Sequence, residues 1–199
     1  MVALEGRVEL KLEPSKTALV VIDLQRGIVA QPAGPRSGVE VVGHVVQLVK
    51  AMRAKGGTVV LVHVTPSPDR KDGLNPITDA PARAPGLTLP PAWADFVPDL
   101  KPEPTDIVIT KRQWGAFYGT ELDLQLRRRG VDTIVLCGIS TNIGVESTAR
   151  DAYERGYNQI FVEDAMAARD IEEHRHTVRS LFPRIGRVRV TAEVLAAIE

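Results

Sequence analysis

Residues 136–150, with the sequence LCGISTNIGVESTAR, decide the fold of this chain. They begin at the end of an apolar run, residues 134–136, and lead directly into a stretch with helical spacing, residues 145–155. A strand that runs straight into a helix is the repeating unit of parallel α/β folds. The turn between them, from Gly138 to Gly144, carries no thiol. Because ligands of open α/β sheets bind beyond the carboxyl ends of the strands, we expect a functional site at this turn.

The same alternation of short β-branched runs and amphipathic stretches extends along the chain. It predicts strands at residues 17–22, 58–63, 106–109, 133–136 and 159–162, with a weaker one at 188–190. It predicts helices at about residues 39–54, 121–129, 145–155, 171–182 and 192–198. Several strands are apolar on both faces, as in a sheet covered on both sides. The prediction is one doubly wound α/β domain over residues 1–199, with a mainly parallel six-stranded sheet and helices on both faces.

Residues 66–104 form a long proline-rich segment between the second and third predicted strands. A loop of this length inside a domain usually has a function or is disordered. Its apolar residues favour a folded flap over a linker. These residues are Ile77, Leu87, Leu89, Trp93, Phe96 and Val97. We expect part of this segment to cover the active site or a neighbouring subunit, with residues 93–97 as the candidate subunit contact.

Composition narrows the classes of partner. The chain has 199 residues, 44% of them hydrophobic, which is enough for one sizeable core. Basic and acidic residues number 25 each, so no global field attracts nucleic acid or anionic lipid. Cys137 is the only cysteine, which excludes an intramolecular disulfide and fits the cytoplasm. No apolar run approaches the roughly 20 residues that span a bilayer. We expect a small-molecule ligand, no membrane or nucleic-acid partner, and no metal or cofactor.

Three segments carry a resemblance to a known family. They are LCGISTNIGVESTAR at 136–150, ALVVIDLQ at 18–25 and ITKR at 109–112. In order and spacing the chain resembles the isochorismatase-like, or cysteine hydrolase, superfamily along nearly its whole length. The resemblance implies that the family's Asp, Lys and Cys triad corresponds to Asp23, Lys111 and Gly144. The usual place of the nucleophile is then occupied by glycine.

The resemblance also implies further features of the site. Ile139–Ser140 would be a cis peptide bond, and the backbone N–H groups of Ser140 and Gly144 would form an oxyanion hole. Asp23 would carry a proton, and Lys111 would neutralise charge or position the substrate. The expected substrate-binding residues are Gln25, Trp114, Ile139, Ser140 and Asn142. Family members are commonly dimers or tetramers, so we expect a homodimer or homotetramer.

Two functions are compatible with Gly144. Without a thiol the chain cannot form the family's acyl-enzyme, so amide hydrolysis by that route should be absent. The true isochorismatases also carry glycine here and cleave a vinyl ether by protonating carbon, a role that Asp23 could fill. They have Tyr-Ala where this chain has Ser140-Thr141, however. The prediction is a family hydrolase that acts on a small anionic or carbonyl-bearing molecule without covalent cysteine catalysis. The alternative is a catalytically inactive small-molecule-binding or regulatory protein.

Two other residue sets are predicted to have structural roles. Cys137 lies at the end of a buried strand, seven residues before Gly144, so we interpret it as a core thiol and not as a displaced nucleophile. His174 and His176 are two positions apart on a predicted helix and would point to different sides, which makes them a poor ligand pair.

Overall fold

A parallel sheet forms the centre of the protein in a computed structural model that describes residues 9–74, 76–79 and 89–198. Its strands run in the order β3-β2-β1-β4-β5-β6, and every neighbouring pair is parallel. They are β1 (Thr17–Ile22), β2 (Thr58–Val64), β3 (Ile107–Lys111), β4 (Thr133–Ile139), β5 (Asn158–Ala167) and β6 (Arg187–Arg189). The chain runs outward from β1 in one direction and from β4 in the other. The predicted doubly wound α/β domain is confirmed.

Helices cover both faces of the sheet. They are α1 (Arg26–Val29), α2 (Gly38–Ala54), α3 (Leu122–Arg128), α4 (Glu146–Glu154), α5 (Ile171–His176), α6 (Phe182–Ile185) and α7 (Thr191–Ala197). Short 3-10 turns occupy Pro14–Lys16 and Pro98–Leu100. Leu19 and Val21 of β1 join the core beneath α2 and α7, while Val20 and Ile22 join the core beneath α3, α4 and α6. Alternate residues of β1 therefore pack into two different cores, which is why the strand is apolar from Ala18 to Ile22.

The single helix predicted at 171–182 is divided into three helical elements in the structure. After α5 the chain forms a π-helical turn at Thr177–Leu181 and begins again as α6. Pro183 lies in the first turn of α6. Because proline lacks an N–H group, it cannot donate back into the preceding turn, so a continuous helix is interrupted there.

Gly138 brings the end of β4 against β1. Its φ is 122°, and an added Cβ would lie 2.1 Å from the carbonyl oxygen of Ile22. Only glycine satisfies both the backbone conformation and this close approach. The turn after β4 is thereby placed beside Asp23, the residue that follows Ile22.

Part of the proline-rich segment is folded against the residues that follow β1. The N–H groups of Arg26 and Gly27 donate to the carbonyls of Asp95 and Trp93, respectively. An added Cβ on Gly27 would lie only 1.8 Å from the Trp93 ring, so that indole packs within its own chain. Ile77 is fully exposed and adds nothing to this packing, contrary to expectation. Leu87 lies outside the described residues.

Of the helices in the described part of the chain, none combines the length and apolar character needed to cross a membrane.

Candidate active site

Three strand ends bring together the residues expected to form the triad. Asp23 follows β1, Lys111 ends β3, and Gly144 lies in a π-helical turn, Thr141–Val145, that follows β4. Lys111 Nζ is 2.7 Å from Asp23 Oδ2. A Cβ built on Gly144 would lie 3.2 Å from Asp23 Oδ2 and 3.3 Å from Lys111 Nζ. A side chain at position 144 would therefore start between the carboxylate and the ammonium.

Asp23 combines an unusual backbone with an unusual environment. Its φ is 55°, a region that costs a residue other than glycine about 1 to 3 kcal/mol. Burial raises the pKa of its carboxyl group to about 6, although the neighbouring Lys111 ammonium acts in the opposite direction. Oδ2 is held by Lys111, but Oδ1 is buried and no hydrogen-bond partner reaches it within the described residues. Such an oxygen can exchange a proton with a ligand or a water molecule.

Lys111 is held in place on two sides. Its Nζ donates to the backbone carbonyl of Trp114 at 2.6 Å as well as to Asp23. The residue is only 1% exposed, so its ammonium is a fixed charge inside the protein and not a solvated side chain. A fixed charge of this kind stabilises an anion without having to reorganise.

A pocket opens above the triad positions. Asp23, Lys111 and Gly144 line it together with three of the residues expected to bind substrate, namely Trp114, Ile139 and Ser140. The Ile139–Ser140 peptide bond is cis, as the resemblance implied. The proline-rich segment also contributes to the lining, through Pro66, Leu74, Leu89 and Trp93 among others.

Two expected substrate-binding residues lie outside this lining. Gln25 is fully buried, and its side-chain amide both donates to and accepts from the backbone of Val64, at 3.0 and 2.8 Å. It ties the loop after β1 to the end of β2. Asn142 Nδ2 donates to Glu173 Oε2 at 3.0 Å, away from the pocket. Both side chains hold parts of the protein together around the site.

The sequence did not predict that most of the charged residues lining the pocket would be basic. Five basic residues and two acidic ones are among the lining residues; they are Arg26, Arg70, Lys111, Arg112, Arg169, Asp23 and Asp72. Arg112 Nε pairs with Asp72 Oδ2 at 2.7 Å. Arg26 and Arg112 closely follow motif residues and could have been noticed. Arg169 lies just beyond β5, and no local pattern marks it.

Other possible sources of reactivity do not reach the pocket. Cys137 is fully buried, and burial raises the pKa of its thiol well above the ordinary range. It is a core residue, as predicted. Among residues 9–74, 76–79 and 89–198, no group of three His, Cys, Asp or Glu side chains is arranged to hold a metal ion.

Comparisons with known proteins show the family and the fold. The family model described as "Isochorismatase domain" matches residues 17–193. The uncharacterized isochorismatase family protein YwoC of Bacillus subtilis (strain 168) is 52% identical over 190 residues, which cover 96% of this chain and 98% of YwoC. An isochorismatase family protein from Burkholderia thailandensis has a structure similar to this one, with a TM-score of 0.90 and 46% identity over 96% of this chain and 99% of that one.

A more distant relative has a named activity. The ureidoacrylate amidohydrolase RutB of Methylobacterium radiotolerans is 35% identical, and the match covers 82% of this chain and 72% of RutB. The fold, the family match and these relatives agree, and the chain belongs to the isochorismatase family of hydrolases.

Proposed function

We propose that this protein hydrolyses a small molecule without a covalent cysteine intermediate, and that its reaction is the cleavage of a vinyl ether. In this proposal Asp23 is the general acid and base. Lys111 holds Asp23 and offsets its charge, and the turn at Ser140 and Gly144 holds an oxygen of the substrate.

The observation that carries the proposal is the state of the Asp23 carboxyl group. Burial raises its pKa to about 6, and Oδ1 has no partner within the described residues. With that pKa, roughly a tenth of the molecules carry the proton at pH 7, and more carry it at lower pH. A general acid works best when its pKa lies near the working pH. Asp23 lines the pocket, so its proton is available to a bound molecule.

The amide-hydrolysing route of the cysteine members lacks its nucleophile here. Gly144 has no side chain, and Cys137 is fully buried in the core. Vinyl-ether hydrolysis does not need a thiol, because the first step is proton transfer to carbon. This difference favours the acid mechanism over amide cleavage, the activity for which the relative RutB is named.

The proposed steps balance with one water molecule. Protonated Asp23 gives its proton to the terminal vinyl carbon, and the carbon that bears the ether oxygen becomes an oxocarbenium ion. Water adds to that carbon and returns a proton to the Asp23 carboxylate, which forms a hemiketal. The hydroxyl proton of the hemiketal then passes to the ether oxygen as the bond between that oxygen and the carbon breaks, which gives a ketone and an alcohol. Asp23 ends in its starting state and serves in turn as acid and base.

The pocket lining supports an anionic substrate. Its five basic residues exceed its two acidic ones by three, after each acidic residue has been paired with a basic one, Asp23 with Lys111 and Asp72 with Arg112. A cavity lined by an excess of one charge attracts ligands of the opposite charge. A vinyl ether that also bears a carboxylate combines both features of the site.

The test is an activity screen of the purified protein. Vinyl ethers, isochorismate included, are assayed beside simple amides and carbamates, and the Gly144→Cys variant is assayed in parallel. We expect the wild type to cleave a vinyl ether and to leave the amides intact. If the wild type were silent and the variant hydrolysed an amide, the proposal would be wrong. The protein would then be a small-molecule-binding member of the family that lacks the nucleophile.

We also propose that the enzyme acts in the cytoplasm and that it forms a homodimer or homotetramer. Trp114, which lines the pocket, and Tyr118 support an assembly, because both aromatic side chains are largely exposed, at 63% and 74%. Aromatic side chains are enriched at contacts between proteins. Sedimentation equilibrium would contradict the assembly if it gave the monomer mass of 21.7 kDa at micromolar concentration.

A further inference from the structure

Hydrogen bonds from α5 and the π-helical turn after it reach both sides of Gly144. Thr141 Oγ1 and His174 Nδ1 are 2.8 Å apart, and Asn142 Nδ2 donates to Glu173. After Gly144, Glu146 Oε2 accepts from the hydroxyl of Thr177 at 2.7 Å. Hydrogen bonds therefore hold this turn in place on both the N-terminal and the C-terminal side of Gly144.

The bond between Thr141 and His174 is the buried member of this set. Thr141 is 0% exposed and His174 is 4% exposed. Burial lowers the pKa of His174 to about 4, so its ring is neutral under ordinary conditions. Neither side chain lines the pocket. A buried polar pair that has no ligand to bind serves to fix the position of the backbone that carries it.

We propose that His174, acting through Thr141, is a positioning residue. It holds the turn that carries Gly144 at a fixed position relative to the Asp23–Lys111 pair. Thr141 is the first residue of the π-helical turn and follows Ser140 directly. Any movement of Thr141 therefore displaces Ser140 and Gly144 relative to Asp23 and Lys111, which are held at the ends of other strands. This inference concerns geometry and does not depend on which reaction the site performs.

A thiol placed at position 144 makes it possible to measure, without a substrate, where this residue lies relative to Asp23 and Lys111. Gly144 does not have a left-handed φ, and an added Cβ would meet Ile22 Cγ2 at 3.0 Å, so a small side chain fits with a slight shift. The rate at which iodoacetamide alkylates the Gly144→Cys variant then reports the distance of its sulfur from the Lys111 ammonium, which favours the thiolate. The wild type is the blank, because Cys137 is buried.

Two substitutions in the Gly144→Cys background remove the bond. Thr141→Val deletes the hydroxyl at constant volume, and His174→Leu deletes the ring nitrogen. We expect each to lower the alkylation rate constant at pH 7 by about fivefold, the factor that corresponds to the loss of one hydrogen bond of typical net strength. Thr141→Ser and His174→Asn each keep a polar atom near the original place and should restore most of the rate.

A matched control separates positioning from general stability. Thr191 is also a buried threonine, at 3% exposure, and its hydroxyl donates to Asp164 Oδ1 at 2.8 Å, away from the pocket. Thr191→Val in the same background should lower the melting temperature by a similar amount and leave the alkylation rate unchanged. The inference is overturned if Thr141→Val leaves the rate unchanged, or if Thr191→Val lowers it equally.

Discussion

Lys111 Nζ lies 2.7 Å from Asp23 Oδ2, and the two side chains are only 1% and 7% exposed. An ion pair with so little water around it depends on both partners. If one charge is removed, the other stays buried without compensation, which is costly. The pair therefore has consequences for both stability and chemistry.

Removing the cation should destabilise the protein in a pH-dependent way. For Lys111→Met we expect the free energy of unfolding to fall by about 3 to 5 kcal/mol at pH 8, where Asp23 is left as an unpaired anion. At pH 5 the loss should be smaller, because Asp23 can take up a proton. Urea unfolding at the two pH values measures this, and an equal loss at both would contradict it. Combining Lys111→Met with Asp23→Asn should recover part of the stability at pH 8.

Removing the proton carrier should abolish most of the turnover. Asp23→Asn keeps the shape of the side chain and cannot exchange a proton, so kcat on the vinyl ether found in the screen should fall by at least about a hundredfold. Asp132→Asn is the control, because Asp132 precedes β4 at the opposite end of the sheet. If the Asp23→Asn variant kept its turnover, Asp23 would not be the acid.

The stability of the wild type should depend on pH through Asp23. Its pKa of about 6 in the folded protein is above the value of about 3.9 expected for the unfolded chain. Between these values the folded state binds more protons, so this stabilising contribution is complete below about pH 4 and is lost as pH rises through about 6. We expect the difference in unfolding free energy between wild type and Asp23→Asn to decrease by on the order of 3 kcal/mol from pH 4 to pH 8. Denaturant titrations that found a constant or growing difference would contradict the assignment.

A glycine in the pocket wall should tolerate no side chain. For Gly27→Ala, the new methyl would overlap the Trp93 ring, and we expect unfolding to become easier by about 1 to 3 kcal/mol. Gly43→Ala is the matched control, since an added Cβ meets nothing within 4 Å and lies inside α2. That change should instead stabilise the protein by about 0.5 to 1 kcal/mol. Thermal or urea unfolding of both variants measures these changes. Similar changes in the free energy of unfolding for the two variants would contradict the close packing of Trp93.

The number and order of the strands could be predicted because apolar runs are local signals, although β5 is longer than the predicted strand at 159–162. The meeting of Asp23, Lys111 and Gly144 at one edge of the sheet could be expected from the family motifs, and their roles stay a prediction. Residues 18–22 are a continuous apolar run after the β-branched Thr17, and the predicted strand at 17–22 has the same bounds as β1. Asp23 and Lys111 could be assigned because each comes at the end of such a run and matches a family motif. The helix predicted at 171–182 shows the limit of periodicity, since Pro183 follows it and interrupts the backbone hydrogen bonds.

The supporting contacts could not be predicted, because they join residues that are distant in sequence. Gln25 follows Asp23 closely and was expected to bind substrate, yet its amide is used by the backbone of Val64. The partner of Thr141 is His174, 33 positions further along the chain. Which side chains face the pocket depends on how the loops close over the sheet, and that is decided by tertiary packing.

The position of β1 at the centre of the sheet has a consequence for synthesis of the chain. β1 is made before every other strand of the sheet, and all six of its residues are buried in the finished protein. One of its two partners, β4, does not begin until Thr133, which follows only after several seconds of translation at about 5 to 20 residues per second. During that interval β1 can pair only with β2, and its other edge has no strand partner. Asp23 is already present, and Lys111 follows with β3, but the turn that carries Gly144 does not yet exist. A chain that ends before β4 therefore lacks both the second partner of its central strand and the turn that completes the pocket.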